Sequence, residues 1–191
     1  MALLVAALLA VAVGIAGTVV ALLLGRPIWS IAAVAAALLL AVPRVPWPGA
    51  GTVDLPQPWG PVVALGVGAL GIASGSPLVT LVLAWASPAT RVAPRSHGGI
   101  LVPDLRSPAP ERAGERTVLR GGSTIGLLER AAVIGSIAVG QPGAVAIVIA
   151  VKGLGRFSEL DSAEARERFI IGTLASLIWS AGCALVARAW W

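Results

Sequence analysis

From Ala2 to Gly25 the chain carries no charged side chain. An α-helix needs roughly 20 consecutive apolar residues to cross the hydrocarbon core of a bilayer, and this run exceeds that length. A secretory signal is the competing reading. Such a signal normally opens with a positive stretch and closes on a small-residue cleavage site. Here no Lys or Arg precedes the run, and Arg26-Pro27-Ile28-Trp29 follows it, so it reads as a retained transmembrane helix. The rest of the chain agrees: 57% of its residues are hydrophobic and 12% charged, and the mean hydropathy is +0.90. A soluble domain carries roughly 25% charged residues because its surface faces water.

Further apolar segments follow. Residues 28–42 form a short Ala-rich helix that Pro43, Pro46 and Pro48 end, and 43–60 is a Pro-rich loop. Residues 61–86 make a third span. It is interrupted by Pro77, which removes one backbone bond and disfavours the helical region for Ser76, so a kink is expected. Residues 87–123 contain Arg91, Arg95, Arg106, Arg112, Arg116 and Arg120 among many prolines. They read as a cytoplasmic loop rather than a domain, since the apolar periodicity of a core is missing. Residues 124–157 read as a helical hairpin with arms 124–140 and 144–157 about Gln141-Pro142-Gly143. Asp161, three residues before Glu164, reads as a capping box opening a last helix through Arg168 and Phe169 to Ala187. The expected organisation is therefore 1–86, three helices; 87–123, loop; 124–191, hairpin plus last helix.

Charge sets the orientation. With the N-terminus outside, Arg26, the six loop arginines, Arg130, Lys152, Arg156, Arg166 and Arg168 face the cytoplasm, leaving only Arg44 and Arg188 of the 14 basic residues outside. Trp29, Trp47, Trp59, Trp85, Trp190 and Trp191 fall at expected helix ends or in the outer loop, as an interfacial aromatic belt requires, and only Trp179 falls mid-span. The hairpin stays open between two readings. Its uncharged arms are only ~15 and ~12 Å long, about half the hydrocarbon thickness. It either dips in from the cytoplasmic side or spans with Glu129, Arg130 and Lys152 inside the membrane boundary.

That charged group is the chief candidate for function. Folding the arms antiparallel about the turn brings Glu129 to Lys152 or Arg156, and a carboxylate at that depth is costly unless paired. Glu129, Arg130, Lys152 and Arg156 are thus the candidate ion cluster, either a lock on the hairpin or a gate, proton-coupled site or headgroup pocket. Gly71 and Gly75 form a GxxxG pair in the third span, and Gly172, Ser176 and Ser180 repeat at four-residue spacing in the last. Small faces of this kind let helices approach closely in lipid, within the chain or between chains. Ser74, Ser76, Pro77 and Thr80 put hydroxyls and a freed carbonyl near the middle of the third span, a feature that transporter sites share.

Catalysis and cofactors find no support. Cys183 is alone, which excludes a disulfide framework or a cysteine-based metal site, and it is expected to be a small buried apolar residue. His97 is also alone, in the Arg/Pro-rich loop. No Walker loop, zincin motif or nucleophile elbow is present. The formal charge of +5 sits beside apolar segments, where it suits anionic lipid headgroups rather than nucleic acid.

Residues 121–176 carry the pattern G-x-x-I-G-x-L-E-R, then G-Q, then A-x-K-x-x-x-R-F, then I-G-T-L-x-S. The matching residues are Gly122, Ile125, Gly126, Leu128, Glu129, Arg130, Gly140, Gln141, Ala150, Lys152, Arg156, Phe157, Ile171, Gly172, Thr173, Leu174 and Ser176. This segment resembles a domain-of-unknown-function family of uncharacterised bacterial multi-pass membrane proteins. The Ala163-Glu164 piece departs from the pattern, being separated from Phe169 by extra residues. The resemblance implies no activity, but it suggests that the Glu129/Lys152/Arg156 cluster is more than incidental.

The sequence thus predicts an all-α, multi-pass transmembrane bundle of six hydrophobic helices, or four spans plus a re-entrant hairpin, in a bacterial plasma membrane with both termini outside. The expected function is that of a non-catalytic accessory or scaffold subunit. It would contact membrane lipids and a membrane-protein partner or a second copy. The alternative is a small transporter or channel using the ion cluster and the Pro77 helix.

Overall fold

The computed structural model describes residues 2–41, 58–86, 101–102, 116–117, 122–156 and 162–191. The first helix, α1 (Ala2–Leu24), is an unbroken run of Ala, Leu, Val and Ile interrupted only by small residues. It stops because Gly25 turns to the left-handed region at φ 62, the usual helix-ending move of glycine. Pro27 then opens a 3-10 turn, Pro27–Ser30. Ser30 Oγ closes this turn by donating to the Pro27 carbonyl at 2.6 Å, and the chain passes directly into α2 (Ile31–Ala41). The two helices form a close hairpin: a Cβ built on Gly17 would lie 2.6 Å from that of Ala32 and 2.9 Å from the Trp29 carbonyl.

Helix α3 (Trp59–Ala86) spans 28 residues and carries Pro77 in its interior without ending there. Around the proline two hydroxyls bond back to their own helix, Ser74 Oγ to the Leu70 carbonyl at 2.6 Å and Thr80 Oγ1 to that of Ser76 at 3.0 Å. Helix α4 (Gly122–Ala138) ends in a Schellman motif. The Gln141 N–H reaches the Ser136 carbonyl at 2.7 Å and the Gly140 N–H that of Ile137 at 3.1 Å, with Gly140 at φ 77. Pro142, which cannot continue a helix, follows and leads into α5 (Ala144–Arg156). Helix α6 (Ala163–Trp190) again has 28 residues. Its N-cap is Ser162, whose Oγ accepts from the Ala165 N–H at 3.0 Å. This corrects the capping box expected at Asp161, which itself lies outside the described residues. With Ser162 as cap, the third helical position falls on Ala165 rather than on Glu164. Within 87–123, where no regular element was expected, Leu101–Val102 pairs antiparallel with Arg116–Thr117.

Among the described residues there are thus six α-helices, but only α1, α3 and α6 are long and apolar enough to cross a membrane. The 3-10 turn with α2, and α5, are shorter apolar pieces. Helix α4 is short and carries Glu129 and Arg130. The expectation of six comparable hydrophobic helices is met only in this coarser form.

Helices α3 and α6 make the largest interface and form the spine of the bundle. One end is defined by Ala7 and Val11 of α1, Ala37 and Leu40 of α2, Val63 and Ala64 of α3, and Ala187 and Trp190 of α6, which share one core cluster. Here Trp190, 2% exposed, donates its Nε1 to the Leu40 carbonyl at 2.9 Å. Trp190 is therefore a core residue rather than part of an aromatic belt, because its ring fills the meeting point of four helix ends. Trp29, Trp59, Trp85 and Trp191 are exposed, and Trp47 lies outside the described residues. Arg188 Nη1 donates to the Ile137 carbonyl at 3.3 Å, so the α4–α5 turn lies at this same Trp190 end. The hairpin arms are short, yet their tip reaches the level at which the two longest helices begin and end.

Candidate functional site: an ionic cluster inside the bundle

The antiparallel fold of the hairpin does what residue counting anticipates: Lys152 Nζ of α5 and Glu129 Oε2 of α4 form an ion pair. The ammonium also stands 5.9 Å from the centroid of the Phe169 ring, near the start of the apolar part of α6. That distance allows a cation–π contribution. Arg156 ends α5, and its side chain lies outside the described residues.

Arg130 behaves differently from its neighbour. It is 3% exposed and reaches across to α3 rather than along the hairpin. Its Nε donates to the Ile72 carbonyl at 2.8 Å and its Nη2 to Ser76 Oγ at 2.9 Å. Ile72 and Ser76 flank the middle of α3, so the guanidinium is seated at half the height of the longest helix. The carbonyl it takes is one residue before that of Ala73, the one Pro77 leaves without an N–H partner. Gly75 creates the room. A Cβ there would come within 2.3 Å of Arg130 Cδ and 2.5 Å of its Nε.

The small residues singled out in the sequence all face the interior of this chain. A Cβ on Gly71 would meet Cys183 Cβ at 2.7 Å and Ile134 Cδ1 at 3.0 Å, so α3 approaches both α6 and α4 there. Gly172 faces Val79 and Leu83 of α3 at ordinary contact distance. Ser176 and Ser180 are buried, Ser180 Oγ bonding back to the Ser176 carbonyl at 2.6 Å. Cys183 is buried and unpaired. Gly75 thus admits a side chain, a role the GxxxG spacing alone does not distinguish from backbone contact.

Three further residues of α6 place polar atoms inside the bundle. Trp179 Nε1 donates to Ser74 Oγ at 3.0 Å, satisfying a half-buried indole mid-helix. Arg168, near the start of α6, is 3% exposed, and among the described residues its Nε and Nη1 have no hydrogen-bond partner. Thr173 Oγ1 is likewise buried without a partner there. It faces a cavity of about 10 Å³ that Glu129, Arg130, Lys152, Ser176 and Ser180 also line, room for one water-sized species. A second, open groove of about 580 Å³ runs between α4 and α5, walled by Ile125, Leu128, Ala132, Ile147, Val148 and Val151. Among the described residues no group of His, Cys, Asp and Glu is arranged to hold a metal ion.

Of the sequence candidates, the structure brings Glu129, Arg130 and Lys152 together. It also adds Ser76, which Arg130 bonds, and Thr173, which lines the same cavity, neither of which sequence reasoning assigned to the cluster. Ser76 and Trp179 could be sensed only as polar groups at mid-span. Comparison of the chain with protein-family models, with curated proteins and with solved structures returned no match.

Proposed function

We propose that this chain is a multi-pass integral membrane protein that works as a non-catalytic component of a membrane assembly. In this reading α1, α2, α3 and α6 cross the bilayer, the α4–α5 hairpin spans beside them, and both termini lie outside a bacterial plasma membrane. The charge asymmetry of the loops and the shared level of the α4–α5 turn and Trp190 support that topology. The length and apolar character of α1, α3 and α6 support the membrane setting.

The observation that carries the assembly reading is the state of α5. Among the other helices it packs substantially only on α4. Ile147, Ile149, Val151 and Leu154 are exposed, and Gly153 and Gly155 have open space where a Cβ would stand. Glycine inside a helix costs about 1 kcal/mol relative to alanine. Here no neighbour among the described residues exploits the thin surface it leaves, whereas a helix from a partner would. The test is extraction from the native membrane in mild detergent, followed by identification of what travels with the protein at fixed stoichiometry. A constant partner that Gly153→Leu releases, with the chain still folded, is the expected result. A lone chain overturns the reading.

A second reading, a small transporter or channel, is favoured by one observation, the charged and hydroxyl-bearing centre formed by Arg130, Ser76, Glu129 and Lys152. Insertion scales put a charge at mid-membrane at about 3 kcal/mol, so intramembrane ionisable groups are commonly functional. Reconstituted into vesicles, a transporter should lose ion or solute flux on Glu129→Gln while its thermal unfolding midpoint stays within a few degrees. A component without transport activity has no flux to lose.

A further inference from the structure

The cluster carries more positive than negative charge, and that imbalance sits beside the small polar cavity. Glu129 is taken up by Lys152. Arg130 gives its two hydrogen bonds to neutral acceptors, the Ile72 carbonyl and Ser76 Oγ. Glu129 is the carboxylate lining the cavity, against two cations. Among the described residues that line the cavity, two cations and one carboxylate thus leave one positive charge in excess, in a setting where an uncompensated ion is strongly disfavoured. The adjoining cavity, about 10 Å³, is lined by both cations and by three hydroxyl residues, Thr173, Ser176 and Ser180. The buried Thr173 hydroxyl has no partner among the described residues. An ammonium bears three N–H donors, and Glu129 engages one of those of Lys152. The unmet groups are thus mainly donors, beside an excess positive charge, around a space for one small species.

We propose that this cavity between α4, α5 and α6 binds one small monovalent anion of the halide class, held by the field of Arg130 and Lys152 and by the Thr173 hydroxyl. Water fits the same space but brings no charge, so the excess positive charge would persist. A carboxylate or phosphate compound is too large for a cavity of this volume. The proposal rests on the bundle lying in lipid, as argued above, because in water the excess charge would be screened.

The test uses the full chain purified in detergent, with thermal unfolding followed in sodium chloride and in sodium gluconate at equal ionic strength. Specific binding should raise the midpoint in chloride by about 5 °C at a hundredfold excess over the dissociation constant. Saturable uptake of radiolabelled chloride, close to one per chain, should accompany it. Thr173→Val should weaken chloride at least tenfold, read within the variant as loss of the difference between its midpoints in chloride and in gluconate, since the substitution removes the hydroxyl donor while keeping the side-chain shape. Coincident curves in the two salts without saturable uptake would mean water alone and overturn the proposal. So would a chloride effect that Thr173→Val leaves intact, because the anion would then sit elsewhere. Membrane residence is scored separately by resistance to carbonate extraction, so failure of that reading and failure of anion binding register in different measurements.

Discussion

Arg130 and Gly75 act as one unit although 54 residues separate Ser76 from the arginine that bonds it. Removing the glycine's free space should be felt directly. Gly75→Ala places a methyl group 2.3 Å from Arg130 Cδ, forcing the guanidinium off the Ile72 carbonyl and Ser76. The cost should be about 1–3 kcal/mol, typical of overpacking. Gly68→Ala, in the same helix, meets only Ile134 Cγ2 at 3.7 Å and should be neutral or stabilising by up to about 1 kcal/mol. Thermal unfolding of the two variants in one detergent measures the difference, and equal midpoints would sink this account of Gly75. The contrast also marks what residue patterns could and could not convey. The Glu129–Lys152 pair was legible because one turn fixes the register of two adjacent arms. The seat of Arg130 on α3 was not, since it depends on how distant helices pack, which local spacing does not encode.

Helices were legible where their punctuation is local. Gly25 with Pro27, and Gly140 with Pro142, end or start elements through backbone geometry that each residue carries with it. The last helix began one residue later than its acidic signal suggested because a serine with equal capping ability stood beside Asp161. Pro77 sits within a continuous α3, which α6 packs on both sides of the proline, at Gly71 and at Val79 and Leu83. The hairpin was ambiguous because arm length alone does not reveal where the tip stops. Its contact with Arg188 supplies that, and labelling can test it. In a Cys183→Ala background, Pro142→Cys and Trp191→Cys should react with an impermeant thiol reagent from the same side of the membrane. Reaction from opposite sides, or of Trp191→Cys alone, would favour a hairpin that dips rather than spans.

Taken as a whole, the bundle has two unequal parts. Helices α1, α2, α3 and α6 converge on Trp190 at one end, and α4 is fastened to the α3–α6 spine by Arg130 and Arg188. Helix α5 stands outside this frame, joined by the Glu129–Lys152 pair and a side of α4. Stability should therefore be graded, with opening of α5 far easier than opening of the α3–α6 seam.

The polar contacts also impose an order on the making of the molecule. Ser74 receives Trp179, Ser76 receives Arg130, and the Leu40 carbonyl receives Trp190, so each of these three acceptors in the N-terminal half waits for a donor from the C-terminal half. While the ribosome is still producing residues beyond Ala86, an α3 placed in a bilayer as proposed above has Gly68, Gly71 and Gly75 uncovered and its serines able to bond only to their own helix. The N-terminal half is thus threaded early but completed late. A chain stalled before α4 would present the insertion machinery with a span that is long enough to stay yet lacks its packing partners, the kind of intermediate that membrane proteases remove.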